Sequence, residues 1–292
     1  MGYKITDGIA EAVIDSHGAE LKSLKLLKNN EEFMWNADPE FWGRTSPVLF
    51  PIVGGLKDGR YSYHGTTYEM GQHGFARDNK FKVISHGETK IVFLFESNEE
   101  TLQNYPFEFK FYMEYSLENG CLSIEYKVEN LSSEEMYFSI GAHPAFSTPV
   151  DQDIQISDYY LEFEKNETAS ILPLEGRNIS RNTMKFLEDS KKIELSKDLF
   201  KNDALIFKGL DSKNVSLKCK KNTRVVTMDY SNFEYIAFWN KVGAEFICLE
   251  PWNGIADFID ASGRLEEKDG ILKLEGQGKY KASLKIKVEG QK

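Results

Sequence analysis

Apolar and polar residues alternate with a period of two along nearly the whole chain. In CLSIEYKVEN, Leu122, Ile124, Tyr126 and Val128 share one face, and Ser123, Glu125, Lys127 and Glu129 share the other. Successive side chains of a strand point to opposite sides, so this segment is predicted to be a half-buried strand. The same pattern recurs in KFKVISHG, TKIVFLFES, FEFKFYMEYSL, EMYFSIG, DIQISDYYLEFE, DALIFKG, NVSLKCK, TRVVTMDYS, EYIAFWN, EFICLEPW and KYKASLKIKVEG. Short turn signals such as Asn-Gly and Lys-Val-Gly separate these segments, a spacing that suits antiparallel sheets. Only KSLKLLKN, NEETLQN and NTMKFLEDS offer short stretches with helical spacing, and no strand alternates with a long helix. Parallel α/β folds are therefore disfavoured. No linker, charge block or long repeat divides the chain, so residues 1–292 are expected to form one all-β domain, a large sandwich of stacked antiparallel sheets.

Composition narrows the partners. The 292 residues are 41% hydrophobic and 13% aromatic, enough apolar material for a core of this size. Lys and Arg number 36 against 46 Asp and Glu, giving a net charge of −10. Such a surface repels phosphodiester backbones and anionic headgroups, which argues against nucleic-acid and membrane partners. The longest apolar run, Ile91 to Phe95, is too short to span a bilayer, and the N-terminal segment lacks a run of signal-peptide length. Three widely spaced cysteines, Cys121, Cys219 and Cys248, form neither a disulfide framework nor a CxxC metal site. A cytoplasmic location fits that usage.

Among the polar residues, His17, His64 and His86 sit in turns or at strand ends and read as surface histidines. His73, in GQHGFARD, lies in a glycine-flanked loop beside Arg77 and Asp78; a flexible polar loop is the alternative. His143, in SIGAHPAFS, ends an apolar strand with Pro144 restricting its backbone, although a satisfied core histidine remains open. Glu250 is the strongest oddity. Alternation in EFICLEPWNG puts it in a row with Phe246 and Cys248, opposite Ile247 and Leu249. A carboxylate ending an apolar row is desolvated and held protonated to higher pH, as a general base or acid requires, though structural ion pairs produce the same pattern. Aromatic residues Trp35, Phe41, Trp42, Phe50, Phe75, Phe146, Trp239 and Trp252 fall in or near the polar loops. Such rings stack on the C–H faces of sugars, or they fill a core.

The segments WGRTSPVLFPIVGGL, GQHGFARD, GAHPAF, NDALIF and FICLEPWNG occur in this order between residues 42 and 254. Together they resemble the aldose 1-epimerase (mutarotase) family, most closely its LacX-like branch, and IDSHGAELKSLKLLKNNEEFMWN resembles the family's opening hairpin. The resemblance implies a galactose mutarotase-like β-supersandwich with a sugar cleft, without metal or organic cofactor, working as a monomer or weak homodimer on a small-molecule sugar. It implies Glu250 as the general base at the anomeric O1 and His143 as the general acid at the ring oxygen. His73 would orient that oxygen, while Arg44 and Asp203 would bind hydroxyls.

The GQHGFAR loop departs from the galactose mutarotase pattern, and its Arg77 is similar to the hexose-6-phosphate branch, where arginines hold a phosphate. A free aldohexose is favoured over a 6-phosphate because Asp78 stands ready to neutralise Arg77 and the net charge is acidic. Three further classes stay in view. A carbohydrate-binding module would leave Glu250 and His143 without a task. A glycosidase needs two flanking carboxylates, and only Asp203 is available beside Glu250. A His73, His143 and Glu250 metal site lacks the usual ligand spacing.

Overall fold

The computed structural model describes residues 2–290, and antiparallel strands dominate it. A nine-stranded sheet runs in the order 184–194, 159–171, 214–219, 225–229, 279–289, 121–130, 109–118, 90–96 and 82–86. A six-stranded sheet orders Leu205–Lys208, Tyr235–Trp239, Phe246–Asn253, Ile140–Ala142 and Val48–Leu49, with Ala145–Ser147 also paired to Phe246–Asn253. The N-terminal strands form a separate four-stranded sheet. No helix among the described residues is long and apolar enough to cross a membrane.

Strand alternation decides which face of the six-stranded sheet meets which surroundings. Ile236, Phe238, Ile247 and Leu249 belong to the principal core, packed with residues of the nine-stranded sheet such as Phe109, Phe111 and Leu122. Their neighbours point the other way: Tyr235, Ala237, Ile206 and Trp252 form one cluster, and Phe246 and Cys248 join Trp35, Ala145 and Ala244 in another. The sheet therefore has one face in the main core and the opposite face over a cleft, as the alternation around Glu250 implied.

Of the three segments with helical spacing, one is a helix and two are strands. NEETLQN is a helix, Glu99–Asn104, capped by Asn98, whose side chain accepts from Thr101 N at 2.9 Å. KSLKLLKN instead lies largely in the strand Glu20–Leu26, and NTMKFLEDS largely in the strand Met184–Glu194. A β-bulge accompanies each departure. Opposite Ile14 stands Leu21, yet opposite Val13 stands Ser23, so one extra residue shifts the alternation and leaves Leu21 and Leu24 buried three apart. The pairing of 159–171 with 184–194 carries similar register shifts. A bulged strand thus imitates helical spacing.

The aromatic residues of the motifs divide between core and cleft. Phe50 and Phe146 are completely buried in the main core and Phe75 packs against it, so these three fill space. Phe41, Trp42 and Trp239 gather around the cluster of Trp35 and Phe246 beside the cleft. His17, His64 and His86 are exposed, as expected.

Candidate active site

The cleft on the free face of the six-stranded sheet has a volume of about 480 Å³ and brings together Arg44, His73, Arg77, His143, Asp203 and Glu250. That size lies within the range of small-molecule sites, about 300–1,000 Å³. Trp42, Trp239 and Trp252 supply its aromatic walls. All six residues expected from the sequence converge here although they span two hundred positions.

Glu250 is held by the centre of the sheet. Its strand pairs with Tyr235–Trp239 on one side and with Ile140–Ala142 and Ala145–Ser147 on the other. The side chain is 2% exposed, and Oε2 lies 3.1 Å from Nε2 of His143. Burial, reinforced by the negative charge of Asp203, pushes the Glu250 carboxyl well above the usual carboxylate range. His143 stands where the chain passes from Ile140–Ala142 to Ala145–Ser147. Burial, with a smaller push from Arg77 and Arg44, lowers its imidazole to about 3. Trp42 stacks on the ring at 4.9 Å between centroids and 27° between planes, which limits how it can turn. The Nδ1 atom is buried without a hydrogen-bond partner among the described residues.

His73 occupies a left-handed conformation, φ 68°, followed by Gly74 at φ 69°. A β-carbon at Gly74 would stand 2.4 Å from the Phe50 carbonyl, so the loop seats against the core only with glycine there. The His73 amide donates to Gly54 O at 2.8 Å, and Gly54 N–H donates to His73 Nδ1 at 3.1 Å. Because Nδ1 accepts, the neutral ring carries its proton on Nε2 and acts there as a donor. Burial holds this imidazole well below the ordinary histidine range, with His143 and both arginines adding to the effect. The edge-on approach of His73 and His143, 5.7 Å between centroids, puts two neutral imidazoles on one wall.

Arg44 Nη2 lies 2.5 Å from Asp78 Oδ1, whereas Arg77 Nε is 3.7 Å from Oδ2. Asp78 thus pairs with Arg77 as expected, but it is shared with Arg44, which is the closer partner. Arg77 also donates from Nη2 to Gln72 O at 2.9 Å, and its buried Nε has no hydrogen bond. Asp203, at φ 81°, turns the chain into Leu205–Lys208 and accepts from Ala204 N at 2.8 Å. Arg177 was missed by sequence reasoning. It sits in a Gly-Arg turn between Leu174–Glu175 and Asn178–Ile179, in no motif, and reaches the cleft through tertiary packing alone.

The metal set weighed from sequence, His73 with His143 and Glu250, is not the one that converges. His143, Cys248 and Glu250 have donor atoms within 4.8 Å of one another, and the imidazole and carboxyl already engage each other.

The family model for aldose 1-epimerase matches residues 1–270. The chain belongs to the aldose 1-epimerase family. Protein LacX of Lactococcus lactis subsp. lactis is 33% identical over 267 residues, 88% of this chain and 89% of LacX. The structure described as a galactose mutarotase related enzyme from Lactobacillus acidophilus is 40% identical, with a TM-score of 0.96 over 100% of this chain and 98% of that one. A galactose mutarotase-like protein from Lactobacillus casei superposes with a TM-score of 0.93 at 30% identity, covering 99% of this chain and all of that one. The fold is thus the galactose mutarotase-like β-supersandwich that the motif order implied.

Proposed function

We propose that this epimerase-family chain interconverts the α- and β-anomers of an aldohexose by acid-base ring opening and closure. The observation that carries the reading is the buried Glu250–His143 contact of 3.1 Å at the aromatic-walled cleft. A carboxyl displaced upward and an imidazole displaced downward, 3.1 Å apart, form a couple between which a single proton can pass. Burial favours carboxylic acid beside neutral imidazole. Passing that proton to Nε2 creates a carboxylate base and an imidazolium acid together.

The carboxylate of Glu250 then takes the proton from the anomeric hydroxyl. The C1–O1 double bond forms, the C1–O5 bond breaks, and O5 receives the proton of His143. Afterwards the pair is again carboxylic acid and neutral imidazole, so the opened aldehyde coincides with the proton arrangement that burial prefers. The Nε2–H of His73 donates to the ring oxygen as charge develops on it, while Arg44 and Asp203 hold hydroxyls. Rotation about C1–C2 exposes the other face, and the steps run in reverse. Both reacting groups belong to one molecule, so fixed positioning supplies much of the acceleration.

A non-catalytic sugar binder would retain the tryptophans and Asp203, but nothing in binding requires a desolvated acid-base couple. Anomer-exchange rates measured by NMR on galactose and glucose, with enzyme dialysed against EDTA, test the proposal. Acceleration over buffer that survives dialysis is the expected result. Loss of activity restored by zinc would reject the cofactor-free route, and no acceleration on any sugar would favour a binding protein.

A further inference from the structure

One wall of the cleft is built from main chain, with Gly54, Gly55 and Ala256 lining it beside His73. Gly54 makes both hydrogen bonds that fix His73: its N–H donates to Nδ1 at 3.1 Å, and its carbonyl accepts from the His73 amide at 2.8 Å. The setting of this one glycine therefore decides which ring nitrogen accepts and which keeps the proton.

Gly54 is placed in turn by residues 255–257. It has φ 70°, and a β-carbon on it would stand 2.4 Å from Ala256 Cβ and 2.7 Å from Ala256 Cα, so the two main chains lie in direct contact. Asp257 N–H donates to Gly55 O at 2.9 Å, and Asp257 Oδ2 accepts from Lys57 N–H at 2.9 Å. The loop of residues 54–57 is thus tied to Asp257 at two points. The other carboxylate oxygen belongs to Lys268, whose Nζ donates to Asp257 Oδ1 at 2.9 Å and to Ile255 O at 2.5 Å. Lys268 therefore holds both ends of the stretch on which Gly54 rests.

The side chains of Lys268 and Asp257 are only 2% and 4% exposed, and the cleft is lined by Ala256 but by neither of them. A buried ion pair is a weak source of stability, because the cost of taking two charges out of water offsets most of their attraction, and apolar residues of similar volume often serve as well. What such a pair supplies is direction. Both carboxylate oxygens of Asp257 have a set partner, so residues 255–257 and the loop they carry have one satisfied arrangement.

We infer that Lys268 and Asp257 are positioning residues of the candidate active site, acting through Gly54 to hold the His73 ring with Nδ1 as acceptor and Nε2–H as donor. The use of that donor at a sugar ring oxygen rests on the mutarotase reading above, whereas the holding of the ring does not.

The test combines Asp257→Asn with Lys268→Met, which removes both charges at similar volume and strands neither. Two readings are taken: kcat and KM by NMR exchange on galactose and glucose, and nitrogen-15 spectra of the His73 ring without sugar. The wild-type ring should show a hydrogen-bonded, unprotonated Nδ1 and a protonated Nε2; a ring protonated on Nδ1 overturns the inference before any variant is made. In the double variant the Nδ1 signal should move toward that of an unbonded ring, with kcat lower by at least about tenfold and KM within about threefold. In a His73→Gln background the same two substitutions should lower kcat by less than about twofold, because the residue they act through is gone. A folded double variant with the wild-type ring spectrum, or an equal loss of kcat in both backgrounds, shows a pair that serves the fold alone and overturns the inference. Where the double variant does not fold, Asp257→Asn by itself carries the same readings and the same criteria. If the wild type interconverts no sugar, the mutarotase reading fails, and the ring spectra alone decide the inference.

Discussion

Replacing Glu250 by glutamine separates chemistry from architecture because it keeps shape while removing the proton that the side chain exchanges. Positioned acid-base groups contribute about 10²–10⁴-fold, roughly 3–5 kcal/mol of barrier, so kcat should fall at least about 100-fold. Stability should move the other way. The folded carboxyl titrates well above its reference value of 4.5, so from about pH 4.5 upward the wild-type fold retains a proton that the unfolded glutamate has lost. Wild-type stability then falls relative to the variant by about 1.4 kcal/mol per pH unit, until the folded carboxyl itself ionises. At about 2 °C of melting temperature per kcal/mol for a chain of this length, that slope is read directly from the melting curves. Anomer-exchange kinetics, sugar titration by NMR and melting curves from pH 5 to 9 give the three readings. The expected variant is slow, still binds sugar, and gains on the wild type as pH rises. A variant that loses stability by the same amount at every pH would show Glu250 to be an ionised structural partner of His143, and the acid-base reasoning would fail.

The depressed imidazole of His143, about 3, works in the opposite sense: the unfolded histidine binds a proton below about 6.5 and the folded one does not. Stability from this group is present above pH 6.5 and lost as pH falls toward 3, so His143→Gln should flatten the acid limb of the melting curve; an unchanged limb refutes this. Trp42→Ala removes the ring stacked on His143 and a cleft wall; kcat/KM should drop about tenfold, as an aromatic contact of roughly 1 kcal/mol and some lost burial would give, and a wild-type value would contradict it. Lys268, 2.9 Å from Asp257 and almost wholly buried with it, should be costly to neutralise. Lys268→Met strands the carboxylate and should cost about 3–5 kcal/mol in urea unfolding, and a change under 1 kcal/mol would mean that Asp257 finds other support.

The parts of the site legible in the sequence were those whose signal is local. Glu250 betrays itself because strand alternation places a carboxylate at the end of an apolar row, and the coordinates keep that row intact. His73 and His143 were marked by the glycines and the proline beside them. Charge pairing was only partly legible: Asp78 adjoins Arg77 in the chain but its closer partner is Arg44, thirty-four residues away. Arg177 was invisible for the same reason, since contacts with Gly55 and Asp257 bring its turn to the cleft. The false helix at NTMKFLEDS has a further cause, because a bulge changes the parity of a strand and period counting has no means of registering an inserted residue. Phe50 and Phe146 show that a ring in a motif is as easily a core component as a ligand platform.

The division of the cleft between sheet and loops sets how this protein can change. Glu250 lies on a strand hydrogen-bonded along both edges, and His143 on the link between two of its neighbours, so neither can be displaced without unzipping the sheet. Arg44, Arg77, Arg177 and Asp203 all project from turns and connecting segments. On the proposed function, the proton-transfer pair and the side chains around it are consequently separate heritable units. Exchanging the short segment from Leu172 to Ser180 for another of equal length would change the cleft wall lined by Leu174, Gly176 and Arg177 while leaving Glu250 and His143 untouched, which makes that segment the place to begin when altering what the cleft admits.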